Sequence, residues 1–210
     1  MPNTSETLSH ELITSLHHQP LLVVLRAEQP RQLRPTIARL QRLGVRHVEL
    51  AWSNHPEWSK QCRELLLEFE SICFGAASLC DSRGLEAVVD AGLRFAVSPV
   101  LDAELVRRSQ AMELVLVPGV MTPSEVHQAR SLGCAMVKLF PAAAVGPHYW
   151  RRLAGPLGPL PFCIAAGGLG PLDLPQWLAA GVNAVAIGGS LGVDHAGSNA
   201  WLQLEQWLQG

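Results

Sequence analysis

The chain has 210 residues, 48% of them hydrophobic and 16% charged, with a formal net charge of −2. That composition supplies a large core and excludes a disordered chain, and the near-neutral charge excludes a basic face built for nucleic acid or an acidic membrane surface. No run reaches the roughly 20 apolar residues of a membrane span, and the N-terminus MPNTSETLSHELITSLHHQP lacks the basic start and apolar centre of a secretory signal, so a cytoplasmic protein with no nucleic-acid or membrane partner is expected.

An N-terminal helix is expected over about 6–17. Eight strand-like runs follow: LLVVLR (21–26), HVELAW (47–52), SICFGAA (71–77), RFAVS (94–98), LVLVPG (114–119), AMVKLF (135–140), FCIAAG (162–167) and NAVAIGG (183–189). Amphipathic helical patterns of about 8 to 15 residues separate them. Eight β-α units in this length predict an α/β fold, a (β/α)8 TIM barrel with an extra N-terminal helix; a doubly wound open sheet is the alternative. Nothing reads as a linker, so residues 1–210 are expected to form a single barrel domain, with 1–19 as helix and cap.

An internal repeat supports the barrel. LGVRHVEL, AGLRFAVS, LGCAMVKL and AGVNAVAI each carry a helix end, a glycine (Gly44, Gly92, Gly133, Gly181) and a strand, at spacings of 48, 41 and 48 residues. Glycine there suits a left-handed helix cap, although any αβ loop favours one. Five residues past each glycine stand Glu49, Val97, Lys138 and Ala186. Alternate strands fill one layer of a barrel, so equal phase points Glu49 and Lys138 inward together, near the strand ends where barrel active sites form.

Of 16 basic residues only two are lysines, Lys60 and Lys138. Lys60 falls on a helical pattern with a solvated face; Lys138 stands in an apolar run. A Glu49–Lys138 ion pair that only fixes the core is the plainer explanation, but buried pairs stabilise weakly. Desolvation lowers a lysine pKa, which exposes an amine able to attack a ketone and form an imine. A protonated imine is an electron sink for carbon–carbon cleavage, and Glu49 is the available proton carrier.

Arg26 ends the first run with a fork suited to a carboxylate, or snorkels from a strand end. AAGGLG (165–170) and IGGS (187–190) follow the last two strands, where this fold often holds phosphate on backbone N–H groups; turns need glycine too. In VMTPSEV (120–126), Thr122, Pro123 and Glu125 read as a capping box. The eight histidines form no metal-ligand pattern and are expected to be solvated. Trp52 and Trp150 are the tryptophans placed to approach a site. The five cysteines form no Cys-x-x-Cys pair and are expected to be reduced, mostly structural thiols.

These residues resemble a known family, the 2-keto-3-deoxy-6-phosphogluconate (KDPG) aldolases, lysine-dependent class I enzymes that also include the phosphogalactonate (KDPGal) and 4-hydroxy-2-oxoglutarate aldolases. The resemblance covers about 20–208 and rests on VVLRA, GVRHVEL, GAAS, AGLRFAVSP, PGVMTPSEV, VKLFPAAAVGP, AGG and GGS, in that order. It implies that Lys138 forms the imine with the C2 ketone and that Glu49 shuttles protons. It implies that Arg26, Ser78, Ser98 and Pro99 line the carboxylate region, that Phe140 packs beside the imine, and that Gly167, Gly168, Gly189 and Ser190 hold the distal phosphate. It further implies a homotrimer that needs no metal or cofactor and acts on a small-molecule keto acid or phosphosugar. Three positions depart from the family: Ala77 where it reads Gly, Ala166 where it often reads Thr, and Ser53 where some members have Arg.

The resulting expectation is an aldolase cleaving KDPG to pyruvate and glyceraldehyde 3-phosphate. The same chemistry on the galactonate epimer or on 4-hydroxy-2-oxoglutarate is the near alternative. A phosphosugar isomerase using Glu49 as base, or a non-catalytic metabolite-binding barrel, is the alternative of a different class.

Overall fold

The structure is a computed structural model that describes residues 4–189, 191 and 199–210. Helix α1 (Thr4–His18) precedes the alternation. Then come β1 (Leu21–Leu25), α2 (Arg34–Arg42), β2 (His47–Ala51), α3 (Trp58–Glu68), β3 (Cys73–Ala77), α4 (Ser82–Ala91), β4 (Phe95–Val97) and α5 (Ala103–Ala111). The second half holds β5 (Val115–Val117), β6 (Gly119–Val120), α6 (Pro123–Ser131), β7 (Met136–Leu139), α7 (Tyr149–Leu157), β8 (Phe162–Ala166), α8 (Leu174–Ala179), β9 (Ala184–Ile187) and α9 (Asn199–Gln209). Every strand lies inside a predicted run except β6, which extends one residue past the fifth.

The described strands pair in parallel in the order β5-β4-β3-β2-β1-β9-β8-β7-β6. The two ends of that order are consecutive in the chain, so the sheet closes as a (β/α)8 barrel. The predicted fifth strand is split because Pro118 has no N–H to give a ladder. Before it, β5 pairs with β4; after it, β6 pairs with β7. The Pro118 carbonyl accepts from the Lys138 N–H at 2.8 Å, which carries pairing across the break.

The repeat phase holds. Val97 and Ala186 lie in the apolar cluster that fills the barrel, with Leu22, Phe95, Met136 and Ile164. The larger cluster packs the helices against the outside of the sheet. Gly92 ends α4 in the left-handed region at φ 74°, as its repeat position predicts, and Gly44, Gly133 and Gly181 share that sign. Thr122 and Glu125 form the expected capping box on α6.

Helix α1 closes the barrel base. Leu12 and Leu16 insert into the interior cluster, each burial contributing about 2 kcal/mol. Arg94 pairs with Glu11 at 3.1 Å on the flank of α1, and the Gln19 side chain bridges the Gly44 carbonyl and the Arg46 N–H.

The expectation of solvated histidines is corrected at His47. It is fully buried on the inward face of β2, two residues below Glu49. Its Nδ1 lies 3.1 Å from the Leu21 carbonyl and its Nε2 2.7 Å from Ser15 Oγ. A carbonyl only accepts, so Nδ1 carries the proton and Nε2 accepts from the serine hydroxyl. Burial pushes the imidazole down to about 4, with Arg46 helping and the Leu21 bond opposing.

Acid lability follows. A depressed folded pKa gives stability that is complete above the unfolded value near 6.5 and is lost as pH falls through about 4. Glu49 shifts in the opposite sense over this range, so the readout is a comparison: in urea denaturation the change in stability from pH 7 to pH 4 should be more favourable in His47→Gln than in wild type by about 3 kcal/mol. Equal pH dependence in both proteins would refute the assignment to His47.

Candidate active site

Lys138 is on β7 and Glu49 on β2, both inward and near the C-terminal ends of their strands. Lys138 is 6% exposed and Glu49 is 1% exposed. Each is put there by strand alternation: the outward neighbours Val137 and Leu139, like Val48 and Leu50, belong to the shell beneath the helices. Gly75, the register partner of Glu49, is what lets the Phe95 ring lie against the strand beside it. A Cβ on Gly75 would meet that ring at 2.3 Å.

A cleft of about 450 Å³ opens at this end of the barrel. The structure brings Arg26, Lys138, Phe140, Gly167, Gly168 and Gly189 together in its lining. The Lys138 ammonium lies 4.6 Å from the centre of the Phe140 ring, a cation–π contact that also orients the amine. Gly167 is required at its place, because a Cβ there would stand 2.8 Å from the Phe140 ring and its φ is 95°.

The site's electrostatics are set by burial. Glu49 is pushed up to about 7, chiefly by desolvation, against the opposing charges of Lys138 and Arg26. Lys138 is lowered, again chiefly by desolvation; Glu49 opposes the shift and Arg26 adds to it. Neither carboxylate oxygen of Glu49 has a hydrogen-bond partner among the described residues. Glu49 and Lys138 therefore sense each other without a hydrogen bond, unlike a core ion pair. A buried carboxyl with both oxygens unpaired is costly; Glu49 itself is not in the lining of the cleft and lies beneath it, next to Lys138 electrostatically.

Other predicted positions fall elsewhere. Ser98 is fully buried and its Oγ accepts from the Val100 N–H at 3.1 Å. Pro99 packs its carbonyl against Gly119, where a Cβ would lie at 2.3 Å. Ser78, just past β3, has a left-handed backbone at φ 66° and is half-buried. None of these three is in the lining of the cleft. Ser190 lies outside the described residues. Ala77 is fully buried in register with Ala51 and Val97, and Ser53 turns its hydroxyl to the Glu28 carbonyl. Trp150 is only 2% exposed within the outer shell, and Trp52 packs edge-on against Trp58, so neither enters the lining.

The cleft also has walls that were not named as site residues: Val24, Ala186 and, within the IGGS run, Gly188. Counting two residues back from Arg26, and using the repeat position already counted for Ala186, would have found two of them. No helix among the described residues is long and apolar enough to cross a membrane.

A sequence model of the KDPG and KHG aldolase family matches residues 12–207. The chain is 33% identical over 147 residues to the 2-dehydro-3-deoxy-phosphogluconate aldolase of Pseudomonas aeruginosa, covering 69% of this chain and 66% of that one. It is 27% identical over 173 residues to the 2-dehydro-3-deoxy-6-phosphogalactonate aldolase of Escherichia coli, covering 82% and 84%. The crystal structure of the KDPG aldolase of Zymomonas mobilis superposes with a TM-score of 0.76 at 25% identity, over 94% of each chain. With its barrel, its buried lysine and its cleft at the strand ends, the chain belongs to the KDPG and KHG aldolase family and is a carbon–carbon lyase.

Proposed function

We propose that this aldolase cleaves 2-keto-3-deoxy-6-phosphogluconate to pyruvate and glyceraldehyde 3-phosphate, reversibly, through an imine on Lys138. The observation that carries the reading is the Lys138 amine: buried, lowered in pKa, and facing a cleft whose far rim is backbone glycine. The neutral Nζ adds to the C2 ketone, and uptake of one proton with loss of water leaves a protonated imine. Glu49 takes the proton of the C4 hydroxyl, the C3–C4 bond breaks, and its electron pair moves into the imine to form an enamine. The aldehyde leaves. Glu49 returns the proton to C3, and water hydrolyses the imine to release pyruvate and the amine. A carboxyl near pH 7 suits both halves of that transfer. Arg26 supplies the positive charge for the substrate carboxylate. Gly167, Gly168, Gly189 and Ser190 receive the phosphate.

The phosphogalactonate epimer is the second reading, favoured by the long match to the Escherichia coli relative. In either case the chain works as a single domain, in a cytoplasmic homotrimer, without metal or cofactor.

Borohydride reduction in the presence of pyruvate tests the imine. The expected product is one pyruvyl adduct per chain, mapped by mass spectrometry to the peptide containing Lys138. No adduct, with cleavage activity intact, would refute the imine mechanism.

A further inference from the structure

We propose that Phe95 is a positioning residue for Glu49: its ring, laid across strand β3 in the gap that Gly75 leaves, walls the carboxyl off from water on that side. The inference rests on Glu49 being the proton carrier of the imine reaction. Pairing sets one row of residues across four strands: Val24 on β1, Glu49 on β2, Gly75 on β3 and Phe95 on β4. Glu49 faces inward, and its register partners share that face, so the row lies in the barrel interior. Phe95 is fully buried there, in the interior cluster. Cε2 and Cζ of its ring stand where a Gly75 side chain would begin. Neighbouring strands are only about 4.8 Å apart. The ring, rather than a β3 side chain, is therefore the next group to Glu49 in the row.

This accounts for a carboxyl that is 1% exposed with neither oxygen partnered among the described residues. Val24 stands on its β1 side and the ring on its β3 side. The ionisable groups that face Glu49 are Lys138 from β7 and Arg26 from the end of β1. In the layer below lie His47 on its own strand and Cys73, the register partner of His47, both kept neutral by burial. At the level of Glu49, β3 and β4 bring no charge, only the ring. Lys138 and Arg26 both favour the ionised carboxylate, yet the carboxyl is shifted the other way by desolvation. Hydrocarbon against the carboxyl is what outweighs them, and Phe95 is the largest hydrocarbon group in the row.

Infrared difference spectra, each protein minus its Glu49→Gln counterpart, follow the protonated carboxyl through a pH titration. The wild-type midpoint is expected near 7. Phe95→Ala admits water beside the carboxyl and should lower the midpoint by at least about one unit. Phe95→Leu, which fills the interior but is too short to cross β3, should move it the same way and serves if alanine does not fold. Leu204→Ala opens a cavity in the outer shell instead and should leave the midpoint in place. The acid limb of kcat should follow the infrared midpoint in every variant, with pyruvate still trapped on Lys138 by borohydride. Folded Phe95 variants that keep the wild-type midpoint overturn the proposal, and so does an equal shift in Leu204→Ala. Failure of the proton-carrier reading looks different: the midpoint moves with Phe95, but wild-type kcat has no limb that follows it, which removes Phe95 from the reaction.

Discussion

Lys138→Ala should lower kcat for retro-aldol cleavage by at least about 10⁴-fold, in line with the cost of deleting a covalent nucleophile. Lys138→Arg should fare no better. A guanidinium keeps the positive charge beside Glu49, but it is never neutral at working pH and cannot form an imine. The pair separates two mechanisms. If Lys138 were only an electrostatic partner for a glutamate base, arginine would retain much of the rate. Steady-state kinetics with a coupled pyruvate assay decides it, and an arginine variant with more than about a tenth of wild-type kcat would count against covalent catalysis. Both variants should remain folded, because the interior cluster around the lysine is hydrocarbon and does not depend on its charge.

Glu49→Gln should lower kcat by about 10² to 10⁴ while pyruvate is still trapped on Lys138. Wild-type activity should rise with pH through about 7 as the Glu49 carboxyl ionises, and that limb should vanish in the variant. Stability should move the other way. The folded pKa is raised, so the contribution of Glu49 is complete below its unfolded value near 4.5 and is lost as pH rises through about 7. Glutamine has no charge to desolvate. The variant should therefore match wild type at pH 4 and exceed it at pH 8 by up to about 3 kcal/mol in urea titrations. Loss of activity with no gain in stability at pH 8 would mean that Glu49 is not the desolvated carboxyl described above.

How far the sequence could be read depended on which force placed each residue. The strands were legible because parallel strands buried on both faces are unbroken apolar runs, and all eight runs hold a strand. Lys138 and Glu49 were legible because the glycine repeat set a common phase that alternation then carried inward. The same counting placed His47 inside, two residues below Glu49, yet a default of solvated histidines hid it; its partners, Ser15 and the Leu21 carbonyl, come from other elements. Ser98 and Pro99 lie outside the lining of the cleft for a related reason. A serine hydroxyl can serve a ligand or its own turn, and here the Val100 N–H takes it. The division of the fifth strand at Pro118 needed knowledge of which neighbour accepts on each side.

The helix seated in the barrel base carries a consequence for traffic. With Leu12 and Leu16 filling the lower end, the cleft is, among the described residues, the opening left for what the proposed reaction consumes or releases. The water that hydrolyses the last covalent intermediate must enter where the aldehyde departs. Order of release is then imposed by plumbing: the aldehyde goes first, the doorway fills with solvent, and only then is pyruvate freed. While the aldehyde stays, it shields the enamine from water and remains poised to re-form the bond, so a sealed floor favours running the reaction in both directions.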